Sequence, residues 1–195
     1  MQEKDITQKM LERHNDVFSD IVNVLLFCGK RVVEEETLFD AVTDSALKID
    51  GRVRFQDRDV AKYWKDSKIN IALLGIENQT NPDKFMPLRV MGYDGLEYTR
   101  QVRKECNGES KHPVITLVLY LGYDKKWTYP KNLFGVLDID EELKPYVNDY
   151  KINLFEIAYL DRETIDSFKS DFWILADYLY QMRVNKNYVA DKRSI

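Results

Sequence analysis

The sequence predicts a single α/β domain spanning residues 1–195, built on a mixed central β-sheet flanked by helices. Three observations carry that expectation. Apolar residues recur at three-and-four spacing in the opening, middle and closing segments, which is the period of an amphipathic helix. Two apolar runs, Ile69 to Gln79 and Pro113 to Leu121, lie between those segments and suit buried strands. No internal repeat, linker or low-complexity stretch divides the chain, and 195 residues suffice to enclose one ordinary core.

From about Asp5 to Cys28, Met10, Val17, Phe18, Ile21, Val22 and Leu25 form one helical stripe. His14 falls on that stripe and is expected to be a hydrogen-bonded core histidine. Gly29 suits a left-handed helix cap. Glu34 to Glu36 read as a solvated turn or helix start, and Phe39 to Ser45 as a loop. Ala46 to Gly51 reads as a strand closing in a tight Asp-Gly turn. Asp59 to Trp64 is expected to be a strand and Ile69 to Gln79 the central one, the two making a hairpin with their acids on one side.

After the Asn81-Pro82-Asp83 break, Lys84 to Lys104 reads as a long helix. Its stripe Leu88, Met91, Gly95, Tyr98 and Val102 is expected to face the core. Gly92 and Gly95 each cost roughly 1 kcal/mol against alanine, which suggests close approach to the sheet. Pro113 to Leu121 is a second buried strand, with His112 structural at its entry. Lys125 to Asp138 is aromatic and irregular, Asp140 to Pro145 a capped helical turn, and Ile152 to Leu160 a further strand. Asp161 to Met182 is expected to be one final helix carrying Phe168, Phe172, Leu175 and Leu179.

The composition is that of a folded soluble protein, 44% hydrophobic and 12% aromatic. A net charge of -4 argues against a generic polyanion-binding surface. It leaves room for a site that gathers acids at its centre and positive charge at its rim. Cys28 and Cys106 lack close spacing and the two histidines are scattered, which disfavours a disulfide scaffold and soft-metal chemistry. Any bound metal is therefore expected to be hard and oxygen-ligated. The charged N-terminus carries no leader-like apolar core, and no apolar run approaches the ~18 residues that span a bilayer. A cytoplasmic location is the default expectation. There is no Gly-rich phosphate loop, nucleophile elbow or metalloprotease helix.

Residues two apart on a strand project from the same face. Glu77 and Gln79 thus emerge together from the end of a run otherwise suited to burial. If the segment bearing Asp59 pairs with that strand, two carboxylates and one polar side chain converge. Such a group can hold a divalent cation for phosphodiester hydrolysis. Asp57, two residues before Asp59 and on the same strand face, is a register-shifted rival. Taken singly, each acid reads as a solvated surface group, and Asp59 beside Arg58 and Lys62 as an ordinary ion pair.

The order helix, strand, acid-bearing strand, Glu-x-Gln strand, helix, strand resembles the restriction-endonuclease-like core, written PD-(D/E)xK. More closely, the chain resembles the Rpn family of recombination-promoting nucleases, also described as YhgA-like transposases. The residues carrying this are His14-Asn15-Asp16-Val17-Phe18, Arg58-Asp59-Val60 and Leu73-Leu74-Gly75-Ile76-Glu77-Asn78-Gln79. Met86-Pro87-Leu88-Arg89 onward to Tyr93, His112-Pro113-Val114 onward to Gly122, and Asn148-Asp149-Tyr150 onward to Leu154 extend it over most of the chain.

The resemblance implies a cytoplasmic DNA endonuclease that uses Mg²⁺ or Mn²⁺ and is associated with mobile elements or recombination. Asp59, Glu77 and the Ile76 carbonyl would ligate the ion, and Gln79 would orient the attacking water. Asp16 is the family-matched candidate for a further acid on the first helix, and also fits a solvated surface position. Arg58, Lys62, Arg89 and Arg100 are candidates for DNA phosphate contact; for the helical arginines a solvated face is the alternative. Trp127, Tyr129 and Tyr123 could stack on bases or cover the sheet edge.

The chain departs from the pattern in two ways. The general core has lysine where this chain has Gln79. A neutral amide can only position water by hydrogen bonds, which predicts slower turnover than in a Gln79→Lys variant. Family members usually continue beyond the core, so a separate DNA-targeting or oligomerising region is expected to be absent. The alternative reading is a catalytically degenerate DNA- or protein-binding module, and a third is a homodimer packed through Phe168, Phe172 and Leu175.

Overall fold

The computed structural model describes residues 10–41, 44–49, 52–57, 59–66, 72–103 and 111–189, the backbone alone for 44–49, 52–57, 72 and 73. Five strands form one mixed sheet, in the order β1 (Leu38–Asp40), β4 (Val60–Trp64), β5 (Ala72–Gln79), β6 (Val114–Tyr120) and β7 (Asn153–Glu156). The pairs β1–β4 and β4–β5 are antiparallel, whereas β5–β6 and β6–β7 are parallel. The expected α/β fold with a mixed sheet flanked by helices is the fold observed. A separate antiparallel pair, β2 (Asp44–Ile49) with β3 (Arg52–Asp57), includes residues 46–49 of the expected 46–51 strand, and the expected turn residues Asp50 and Gly51 lie outside the described residues.

Alternation along β5 and β6 divides two cores. Leu74 and Ile76 of β5 with Leu117 and Leu119 of β6 face α1 (Asn15–Phe27) and α5 (Phe172–Val184). Val17, Phe18, Ile21, Phe172 and Ala176 meet them there. On the opposite face Val118 and Tyr120 pack with Met86 and Val90 of α2 (Met86–Val102), and with Trp127 and Ile152. A parallel strand covered on both faces must be apolar at consecutive positions, as Leu117 to Tyr120 are. Trp127 is thus buried edge-on to Tyr120, Tyr123 packs at the margin of the α1-side core, and Tyr129 remains exposed.

Several sequence expectations are corrected. The opening helix does not run unbroken to Cys28. Residues 10–13 are helical, but His14 turns extended at φ -68°, ψ 131° and caps α1, so it is exposed and not a core residue. The cap at the other end uses both Cys28 (φ 53°) and Gly29 (φ 79°). The expected loop at 39–45 instead contributes edge strand β1 and the start of β2, because Leu38 to Asp40 pair with Trp64 to Lys62.

The stripe expected to bury α2 is largely on its outer side: Met91, Gly95, Tyr98 and Val102 are exposed. The buried side begins apolar, with Met86, Val90 and Tyr93, and becomes polar, with Asp94, Glu97 and Gln101. Asp94 accepts from Thr116 Oγ1 at 2.7 Å and from the Tyr150 hydroxyl, and Gln101 Oε1 accepts from His112 N at 2.9 Å. Partners on β6, at its entry and at Tyr150 hold the Asp94 carboxylate and the Gln101 carbonyl, so apolar spacing alone misplaces the inner face. His112 is structural as expected, buried edge-on to Tyr63.

The final helix is two helices, α4 (Arg162–Ser167) and α5, with α3 (Leu133–Val136) lying earlier in the chain. Asp20 Oδ2 on α1 accepts from Lys169 N at 2.7 Å and from Ser170 N at 2.8 Å, which fixes the corner between them. Phe168 and Phe172 pack edge-on within the protomer's own core. Phe168 and Phe172 are thus buried within the chain, whereas Leu175 is half-buried beside them.

Close approach to the sheet does not explain Gly95, since a Cβ there would meet nothing within 4 Å. Gly95→Ala is expected to raise stability by roughly 0.5–1 kcal/mol. Urea unfolding would reveal this as a higher midpoint at unchanged slope, and a lower midpoint would show that the glycine serves the packing of α2.

Candidate functional site

The pairing of β4 with β5 begins at Val60 opposite Ile76. Continuing that register sets Asp59 at the level of Glu77, just where regular pairing stops. Beyond this point the edge of β5 needs another partner, and a side chain provides it: Asp59 Oδ2 accepts from Asn78 N at 2.7 Å. The acid before β4 is thus anchored to the strand that bears the second acid.

Glu77 and Gln79 share the α2 face of the sheet. Gln79 Nε2 donates to Glu77 Oε1 at 3.1 Å. The same oxygen accepts from Arg89 Nη2 at 2.6 Å, and Arg89 Nη1 reaches Asp83 Oδ2 at 3.1 Å. Glu77 is only 3% exposed, whereas the Arg89 side chain is 37% exposed. The carboxylate therefore forms the floor of the site, and Asp59, Gln79 and the guanidinium lie around it.

Tyr93, one turn along α2 from Arg89, closes the inner side. Its hydroxyl lies 3.2 Å from Arg89 Nη2. Burial, and then the negative charge of Glu77, push the phenol above its ordinary value, with Asp59 adding in the same direction. Burial by itself would lower the Arg89 pKa. The Tyr93 hydrogen bond and the Glu77 charge outweigh it, and the guanidinium stays cationic throughout.

Asn78 points to the other face, where its Nδ2 donates to Glu12 Oε2 at 2.7 Å. Glu12 is fully buried in the helical turn before His14. A chain of contacts therefore runs from Glu12 through Asn78 to Asp59. Asp16, the expected helix acid, is exposed in the first turn of α1, the helix that covers the opposite sheet face.

The expected phosphate-contacting residues divide. Lys62 does not line a rim: it alternates onto the α1 face, is 1% exposed, and pairs with Asp40 at 2.7 Å. A phosphate cannot reach an ammonium so enclosed. Arg100 is exposed, pairs with Glu97 at 2.9 Å and bonds the Tyr63 hydroxyl. Asp57 ends β3, and Arg58 lies outside the described residues. Sequence reasoning missed Glu12, Tyr93 and Asp83. Of these, Asp83 had a readable signal, since an acid before a helix start can bond the first N–H groups.

The donors fit a hard divalent ion in kind. Asp59 and Glu77 supply carboxylate oxygens and Gln79 an amide. Among the described residues no three acidic, histidine or cysteine side chains form a closed metal cage. Two carboxylates with the remaining positions left to water and substrate oxygens is the pattern that suits Mg²⁺.

The sequence model of the family described as "Putative transposase, YhgA-like" matches residues 61–187, more than half of the chain. The chain belongs to that family. Membership ties it to the transposase theme of mobile DNA. Glu77, Gln79 and Arg89 lie inside the matched span, and Asp59 lies just before it. No curated protein and no solved structure matches the chain. Among the described residues, no helix is long and apolar enough to cross a membrane.

The position of Tyr93 generates a pH dependence. Its folded pKa stands above the ordinary 10.0. Above that pH the unfolded chain loses the proton first, so the associated stability is complete below about pH 10 and is lost as pH rises through the folded value. Urea midpoints measured across that range should fall less steeply in Tyr93→Phe than in wild type. Parallel curves would place Tyr93 outside the influence of Glu77.

Proposed function

We propose that the protein is a DNA endonuclease dependent on Mg²⁺ or Mn²⁺, acting in recombination or the movement of mobile elements. The observation that carries this reading is the anchoring of Asp59 on Asn78 N, next in sequence to Glu77 and its partner Gln79, at the end of adjacent antiparallel strands. Family membership supports the same direction.

In this reading Asp59 and Glu77 hold the ion, with the Ile76 carbonyl as the family-implied third ligand. When bound, the ion polarises the scissile phosphate and makes a coordinated water more acidic. The chain's own residues do the rest. Asn78 N fixes the Asp59 carboxylate, and Glu12 fixes Asn78 from behind. Gln79 presents an amide that can orient the attacking water through its oxygen while its nitrogen holds Glu77. The preorganised carboxylates spare the reaction a reorganisation cost.

One observation favours the second reading, a non-catalytic module that binds DNA or a protein. Glu77 is almost wholly buried and already ion-paired to Arg89. Incubating supercoiled plasmid with the protein and Mg²⁺ or Mn²⁺ separates the two. The nuclease reading expects nicking that is lost by roughly 100-fold or more in both Asp59→Asn and Glu77→Gln. Binding that wild type and both variants share, without nicking, would transfer support to the module, and undiminished nicking in either variant would remove that acid from the site.

A further inference from the structure

Replacing lysine by Gln79 removes the positive charge from the Glu-x-Lys position of the general core. At the same carboxylate, this structure has Arg89, which comes from α2 and not from β5. Three features distinguish it from an ordinary surface pair. Its Nη2 is 2.6 Å from the floor carboxylate, it is held again by Asp83 and Tyr93, and more than a third of its side chain remains open to solvent. Asp83 is itself fixed, since its Oδ1 accepts from Phe85 N at 2.8 Å where α2 begins. A guanidinium fixed by three neighbours loses little further freedom when it meets a phosphate oxygen.

We infer that Arg89 is the catalytic cation of this site, supplying from helix α2 the charge that Gln79 lacks and binding a non-bridging oxygen of the scissile DNA phosphate. Asp83 is its positioning residue. The inference rests on the nuclease reading above. In the reaction a water oxygen forms the new P–O bond and the P–O bond to the leaving sugar oxygen breaks. The water gives up one proton to solvent, and the leaving oxygen gains one. Arg89 exchanges no proton; it offsets negative charge that grows on the phosphate oxygens.

The inference also revises what a lysine at position 79 should do. With Arg89 present, Gln79→Lys adds a second cation beside the first, so its benefit should emerge where Arg89 has been removed.

The test compares Arg89→Met, Arg89→Lys and the double variant Arg89→Met/Gln79→Lys with wild type. Plasmid nicking gives kcat and KM, and thermal melting gives the folded fraction. Binding of a short DNA duplex in Ca²⁺ over a range of salt reads phosphate contacts directly. Arg89→Met should lose roughly 100-fold in kcat. Its slope of log affinity against log salt should shrink by about 1. Arg89→Lys should retain the slope and recover most of the rate, and the double variant should regain at least about tenfold over Arg89→Met. Wild-type kcat in folded Arg89→Met, or an unchanged salt slope, overturns the inference. If wild type itself cuts with neither Mg²⁺ nor Mn²⁺, the nuclease reading fails separately, and the salt slope alone decides whether Arg89 meets phosphate.

Discussion

Strand β5 is paired on both edges, antiparallel to β4 and parallel to β6, and it outlasts the regular pairing with β4. That mismatch in length organises the candidate site. Where β4 begins, at Val60, Asp59 has already left the ladder and turns its carboxylate onto Asn78 N. The period of two then sends Ile76 into one core, Glu77 toward α2, and Asn78 back toward Glu12. A one-residue slip would exchange these faces, burying the acid among Phe18 and Ile21 and setting Ile76 against the Arg89 guanidinium. The same pairing that stabilises the sheet thus specifies where the acids lie.

Burial of Glu77 has to be balanced, because an isolated carboxylate in that position would be strongly disfavoured. Arg89 and Gln79 provide the balance. The arginine reaches Glu77 because α2 begins close to the end of β5, with Asp83 and Phe85 setting the first turn. Further along, Asp94 and Gln101 dock the helix through hydrogen bonds, with Glu97 3.6 Å from His112 Nε2, which holds its rotation more narrowly than apolar contacts would. Rigidity in the polar half of α2 therefore helps set the position of a side chain in its first turns.

The hairpin of β4 and β5, the buried β6, and the pairing of Glu77 with Gln79 were legible in sequence. Each rests on a local period or an uninterrupted apolar run. The face of α2 was not legible, because Met91, Tyr98 and Val102 keep core-like spacing while the true inner positions hide as polar residues with distant partners. Lys62 misled for the converse reason: a lysine reads as exposed, yet Asp40 and the Phe18 ring accept it on the buried side of β4. The break at His14 gave no signal in composition. It leaves Glu12 against Asn78 of β5 and Asp16 in solvent, a contact that no local period of the sequence announces.

In the proposed function, the end of β5 is where a hard cation and a phosphate meet. Diffraction from crystals grown in Mn²⁺, recorded at the manganese absorption edge, locates such an ion without reference to activity. The predicted result is an anomalous peak bound by the carboxylates of Asp59 and Glu77. Manganese absent from that position, with Glu77 still closed on Arg89, would contradict it.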